Sequence, residues 1–209
     1  MEVESLKIVP ICSDSYGANT YLLVSLDEAF IVDPTVSVGA MLKAVEKEGA
    51  SLKGILLTHG HFDHLFSLDP LRKDTGVGAY IHQKDAIMLT DGKKNAFFDF
   101  FGKERTYAPA EHLLSGGELL PLGNEKLEVI HTPGHTQGSV CYRCGDILVT
   151  GDTLFSNTYG RCDLYGGNMT QMRESLKHLS SLDGNIVIYP GHGEAEILSN
   201  ALSSVDYLL

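Results

Sequence analysis

Four metal-ligating side chains fall within six consecutive positions of this chain, in the run Thr58-His59-Gly60-His61-Phe62-Asp63-His64. In an extended segment residues two apart face the same side, so His59, His61 and Asp63 can converge. A turn at Phe62-Asp63 then swings His64 round beside the aspartate. The natural division is His59 with His61 on one ion and Asp63 with His64 on another. Imidazole nitrogen and carboxylate oxygen together suit borderline divalent cations, zinc first and iron or manganese next.

Complete coordination needs further ligands, and three candidates stand in the same kind of place. Gly54-Ile55-Leu56-Leu57 leads into the first cluster, and apolar runs lead likewise into Thr132-Pro133-Gly134-His135, Thr150-Gly151-Asp152 and Tyr189-Pro190-Gly191-His192. Four buried strands are thus expected to end in glycine-containing turns, each presenting a ligand. Glycine permits the tight turns and close backbone approach that a crowded ion site requires.

The elements that must position these residues follow from pattern. Leu6 to Ile11, Asn19 to Val24 and Ala29 to Asp33 read as an antiparallel meander, with turns at Asp14-Ser15-Tyr16-Gly17 and Ser25-Leu26-Asp27-Glu28. Val38, Met41, Leu42 and Val45 keep helical spacing up to Gly49. Leu65 to Lys73 reads as a helix, Gly78 to His82 as a strand and Lys84 to Leu89 as a short helix. Residues 91–117 read as an irregular loop whose Phe97, Phe98, Phe100, Phe101 and Tyr107 form local core or a lid. A second meander runs through Leu119 to Leu122, Leu127 to His131, Ser139 to Arg143 and Asp146 to Thr150. A helix at Met169 to Leu182, a strand at Asn185 to Tyr189 and a helix from Glu194 onward close the chain. Two groups of strands with intervening helices predict an α/β fold, an αβ/βα sandwich of two mixed sheets with helices on the outer faces.

A length of 209 residues suits a single domain, 1–209, with a core that needs no disulfides. The formal net charge of −11 repels nucleic acid backbones and favours a small-molecule substrate. The opening Met1-Glu2-Val3-Glu4 carries no basic-plus-apolar leader and no run is long enough to span a bilayer, so a cytoplasmic protein away from membranes is expected. Of the four cysteines, Cys12, Cys141, Cys144 and Cys162, the pair Cys141-x-x-Cys144 lies on a strand entering a Gly145-Asp146 turn, which points the two thiols to opposite faces, so they read as ordinary reduced thiols rather than a redox or zinc pair; Cys162, beside Arg161, reads as a small packing residue.

The series H-x-H-x-D-H, T-P-G-H-T, G-D-T-L-F and P-G-H-G, spread over nearly the whole chain, resembles the metallo-β-lactamase fold superfamily. Within it, Gly151-Asp152-Thr153-Leu154-Phe155 followed by Gly160-Arg161-Cys162-Asp163 is similar to the glyoxalase II-like (hydroxyacylglutathione hydrolase-like) branch, in a short form without the C-terminal helical domain. The resemblance implies two divalent metal ions per chain, zinc before iron or manganese. His59, His61 and His135 would hold the first, Asp63, His64 and His192 the second, with Asp152 bridging. It also implies hydrolysis of a small thioester or ester by a metal-bridging hydroxide, with Asp63 and Asp152 as the catalytic carboxylates.

The same resemblance places an acid, here Asp33, behind the ligand histidines as an orienting partner; the plainer reading is a turn aspartate before Pro34. Arg161 matches a basic position that meets the glutathione glycine carboxylate, and otherwise pairs with Asp163 on the surface. Because little chain follows His192, glutathione or another thiol ester is one candidate substrate among several. A mononuclear iron enzyme of the persulfide dioxygenase type carries the same H-x-H-x-D-H string and is the alternative, with a lactonase beside it. His82, His112, His131 and His178 match no ligand position and read as structural or exposed.

Overall fold

A computed structural model describes residues 6–11 and 17–209. The expected turn at residues 14–17 and Cys12 therefore lie wholly or largely outside the described residues.

The first sheet is laid down in chain order. It comprises β1 (Lys7–Ile11), β2 (Thr20–Ser25), β3 (Glu28–Val32), β4 (Ser51–Leu56), β5 (Ala79–His82) and β6 (His112–Leu114), each hydrogen-bonded to the next. The first three are antiparallel and the last three join in parallel. Parallel neighbours need crossovers, which α1 (Val38–Lys47) and α2 (Leu68–Thr75) supply, with α3 (Ala86–Thr90) and α4 (Phe97–Phe101) between β5 and β6. The second sheet runs in the order β12 (Glu196–Ile197), β11 (Val187–Pro190), β10 (Ile147–Gly151), β9 (Val140–Cys144), β8 (Glu125–His131) and β7 (Leu119–Leu122). There β10 and β11 are parallel, joined through α5 (Met169–Leu179), and α6 (Leu198–Ser203) follows β12.

Side-chain alternation shows why both sheets are covered on both faces. Along β2 and β3, Tyr21, Leu23, Phe30 and Val32 face the second sheet, whereas Leu22, Val24, Ala29 and Ile31 face a layer containing Met41, Val45, Leu68 and Leu71 of α1 and α2. In the second sheet Val129, Tyr142 and Val149 point inward, and Ile130, Cys141 and Leu148 pack under Met172, Leu176, Leu198 and Ala201 of α5 and α6. The result is the expected αβ/βα sandwich. Cys141 and Cys144 do lie in different core layers, and Cys141, Cys144 and Cys162 are unpaired.

Three expectations need correction. The segment 91–117, read as an irregular loop, contains α4 and the edge strand β6. The helix expected from Leu65 begins at Leu68, since Phe62–His64 spend the preceding residues in a single 3-10 turn. The closing helix begins at Leu198 rather than Glu194, after the two-residue β12. No described helix is long and apolar enough to cross a membrane.

Candidate metal centre

Every candidate ligand sits just past the carboxyl end of a strand. Ile55, Leu56 and Leu57 are fully buried, which drives β4 through the core and delivers Thr58 to the edge of the sandwich. His59 and His61 follow in extended chain, and the 3-10 turn, closed by His64 N–H donating to the His61 carbonyl at 3.1 Å, brings in Asp63 and His64. His135 rides the loop between β8 and β9, and Asp152 and His192 follow β10 and β11. Val140 N–H donates to the Thr58 carbonyl (2.9 Å) and Tyr142 Oη to that of Leu57 (2.8 Å), so the two sheets are locked together at this edge.

Two glycines make the crowding feasible. Gly151 adopts a left-handed φ of +49°, and a Cβ there would stand 2.6 Å from the Thr58 Cβ. At Gly191 a Cβ would overlap the Asp152 carboxylate and stand 2.7 Å from His64 Cε1. Side chains at either position would push the halves of the site apart.

All seven candidate ligands are brought together. Three groups have donor atoms within 4.8 Å of one another: His59, His61 and His135; Asp63, His64 and His192; and His59, His64 and Asp152. Asp152 reaches into both histidine sets, with Oδ1 3.3 Å from His64 Nε2 and Oδ2 3.5 Å from His135 Nε2 and 3.6 Å from His192 Nε2. His192 Nε2 also lies 3.3 Å from Asp63 Oδ2.

Buried polar atoms without partners are costly and rare, yet four occur here: His59 Nε2, His61 Nε2, His64 Nε2 and Asp152 Oδ1. A cation among them satisfies all four, so this donor set fits the borderline divalent metals. At His59, His61 and Asp152 the protonation states agree. Burial, reinforced by the neighbouring histidines, holds His59 well below its ordinary value and His61 at about 3, leaving both neutral. Burial raises the Asp152 carboxyl, but His64, His135 and His192 outweigh it and keep the group ionised far below the usual carboxylate range. His64 is pushed the other way: burial disfavours its charge, yet Asp152 and Asp33 raise it well above the ordinary histidine range.

Asp33 stands behind the candidate ligands. It is buried, carries φ +49°, and accepts from Thr58 N–H at 2.8 Å and Thr58 Oγ1 at 2.6 Å. Its Oδ2 lies 2.8 Å from His64 Nδ1, which aims His64 Nε2 at the site. The Arg161 carbonyl does the same for His135, accepting from Nδ1 at 2.7 Å. The Arg161 side chain lines the cavity but forks onto Asp163, Nε to Oδ1 at 2.7 Å and Nη2 to Oδ2 at 2.8 Å, both groups exposed.

One positioning residue escaped the sequence reading. Asp85, fully buried, accepts from Gly60 N–H at 3.1 Å, Thr136 Oγ1 at 2.6 Å and Gly138 N–H at 2.7 Å. It therefore ties the loop of His59 and His61 to the loop of His135. Burial pushes its carboxyl up to about 6, against the three hydrogen bonds. The sequence reading places Asp85 inside a short helix from Lys84, whereas it stands at the N-cap position of α3 and its side chain makes no cap bond there. The remaining histidines stay outside the centre: His82 stacks on His131 and His112 on Tyr80.

A cavity of about 630 Å³ opens at the site, lined by His61, Asp63, His135, Asp152 and His192 together with Phe62, Phe66, Phe100, Phe101, Phe155 and Leu164.

A two-sheet αβ/βα sandwich carrying histidine and aspartate ligands past its strand ends defines a class, and sequence comparison agrees with it. The family model described as the metallo-beta-lactamase superfamily matches residues 14–192, and the chain belongs to that superfamily. It is 37% identical over 186 residues to the probable metallo-hydrolase YqgX of Bacillus subtilis, covering 87% of this chain and 88% of the relative. Among solved structures it is similar to BLEG-1 B3 metallo-beta-lactamase, with a TM-score of 0.88, 32% identity and coverage of 97% and 99% of the two chains. TTHA1623, crystallised in a di-iron-bound form, is also similar, with a TM-score of 0.79, 28% identity and coverage of 92% and 96%.

Proposed function

We propose that the protein is a single-domain, dinuclear hydrolase of a small thioester or ester, of the glyoxalase II-like kind, working in the cytoplasm and binding neither nucleic acid nor membrane. The observation that carries this reading is the set of four orphaned buried atoms, two of them on His61 and Asp152 in the lining of a cavity of about 630 Å³. His59, His61 and His135 would hold one ion, Asp63, His64 and His192 the other, and Asp152, within 3.6 Å of both histidine sets, would bridge. Zinc suits these donors first, iron or manganese next; the di-iron form of TTHA1623 agrees with a paired site. When bound, two such ions supply an activated water and a charge that polarises the carbonyl.

The chain's own groups do the rest. Asp63 and Asp152 both line the cavity, and both carboxyls are held below the usual range, so they face the reacting water as acceptors and orient it. Asp33 keeps His64 in one orientation and the Arg161 carbonyl keeps His135 in one tautomer. The phenylalanine walls exclude bulk water. Overall, water oxygen joins the acyl carbon, the bond to sulfur or oxygen breaks, and the thiol or alcohol departs with a proton.

The test is metal analysis of metal-replete protein beside turnover of a thioester, an ester, a lactone and a persulfide. Two ions and ester or thioester hydrolysis are expected. One tightly held iron with oxygen consumption on a glutathione persulfide would replace this reading with a dioxygenase. The likeness to BLEG-1 favours a second reading, hydrolysis of a β-lactam amide, and a cephalosporin added to the panel decides it.

A further inference from the structure

The wall of the cavity is as specific as its floor. Phe62 stands between His61 and Asp63, and its ring meets those of Phe66, Phe97, Phe100 and Phe101 at centroid separations of 5.4–5.8 Å. Phe155 and Leu164 also line the cavity. Phe100 and Phe101 are 56% and 54% exposed, a large unpartnered aromatic surface at the mouth of a cavity.

This wall is held in place rather than loosely draped. Phe62 N–H donates to the Asn95 carbonyl at 3.0 Å, and the buried Asn95 side chain donates to the Arg105 carbonyl at 2.9 Å and accepts from Phe97 N–H at 3.0 Å. The Arg105 guanidinium lies 5.2–6.0 Å from the rings of Phe66, Phe97 and Tyr107 and donates to the Phe66 carbonyl at 2.8 Å. Helix α4 is thereby fastened to the turn that carries Asp63 and His64, and its two outer rings are presented without further ordering cost.

The charge inventory points the same way. Among the described lining residues, the candidate ligands aside, Arg161 is the one charged side chain, and Asp163 already neutralises it. A thiol bearing several carboxylates finds no free cation here, whereas an apolar ring finds rings.

We infer that the cavity selects neutral esters or thioesters bearing an apolar, ring-sized group beside the reacting bond, which packs on Phe62, Phe100 and Phe101. This rests on the hydrolase reading for its reaction, though not for its binding. Burying about 100 Å² of ring surface at about 25 cal/mol per Å² corresponds to a tenfold to hundredfold gain in kcat/KM.

The test compares S-ethyl thioacetate with S-ethyl phenylthioacetate, which puts the ring on the acyl side, and with S-benzyl thioacetate, which puts it on the thiol side. S-acetylglutathione serves as the charged comparator. At least one ring-bearing compound should exceed S-ethyl thioacetate tenfold to a hundredfold in kcat/KM. That gain, read as the ratio of each ring-bearing compound to S-ethyl thioacetate within the same protein, should vanish in Phe100→Ser/Phe101→Ser while metal content holds. Parity across the neutral compounds, or a preference for S-acetylglutathione, overturns the inference, and neither result needs the variant to fold. If none is hydrolysed, the hydrolase reading fails and binding alone judges the wall. Saturable N-phenyl-1-naphthylamine fluorescence that is lost in the folded double variant supports it, and equal or absent binding in both proteins overturns it.

Discussion

Replacing Asp85 by Asn separates what the buried carboxylate costs from what it holds. Three donors converge on Asp85: Gly60 N–H and Thr136 Oγ1 on Oδ2, and Gly138 N–H on Oδ1. An amide offers one acceptor oxygen, so its NH2 group must face at least one of these donors, which costs about 1–3 kcal/mol at a buried site. Against this stands relief of a buried charge. The carboxyl has a folded-state pKa of about 6 against 3.8 for the free side chain, worth at most about 3 kcal/mol at neutral pH. An acid whose folded pKa is raised contributes stability that is fully present below the unfolded value and is lost as pH climbs through the folded one. In metal-free protein, the stability difference between variant and wild type should therefore shift toward the variant between pH 4 and pH 7, while near neutrality the two effects largely offset. Metal affinity has no such compensation, because Asp85 joins the loops of His59, His61 and His135. Chelator competition should show a tenfold to hundredfold loss for the first ion. Unchanged metal affinity, or a stability difference that moves toward wild type with rising pH in urea melts, would refute the reasoning.

Asp152→Ala should weaken both ions together and abolish turnover, because this carboxylate reaches both histidine sets; two retained ions in elemental analysis would sink the bridge. Asp33→Asn should lower metal affinity or kcat by tenfold to a hundredfold, since it removes the carboxyl oxygen that meets His64 Nδ1, and wild-type behaviour on both counts would leave Asp33 a turn residue. Gly191→Ala should cost metal before it costs the fold, its methyl colliding with the Asp152 carboxylate; calorimetry of the metal-free variant against its metal content checks this. Arg161→Ala should leave metal content intact and raise KM for an acidic ester by no more than about tenfold, because its exposed fork on Asp163 must be surrendered first. Equal losses on acidic and neutral esters would make it a loop support.

The candidate ligands were legible because their chemistry is written at short range: His59 to His64 share one extended segment and one turn, and the others each follow an apolar run and a glycine. Asp33 was singled out through resemblance, and its contacts with Thr58 and His64 are ones that neither the resemblance nor its place before Pro34 spelled out. Strand positions followed from apolar runs bounded by turn residues, as at Tyr21 to Val24, where successive residues serve different core layers. What stayed hidden depends on distant partners. Phe97–Phe101 has aromatics on almost every position, so no period marks a helix, and His112–Leu114 becomes a strand only by pairing with β5. Asp85 meets Thr136 and Gly138 more than fifty residues away, and no local pattern encodes that.

The ligand set is divided along the chain: His59, His61, Asp63 and His64 come from the half that builds the first sheet, and His135, Asp152 and His192 from the half that builds the second. An ion shared by His61 and His135 would clasp positions 74 residues apart, as a disulfide does. Closing a loop of that length removes roughly 4 kcal/mol of entropy from the unfolded chain. Metal supply would then govern how long the molecule survives as well as how fast it works. Starved of metal, the two sheets would part more often, and the chain would be cleared by proteolysis before its inactivity mattered.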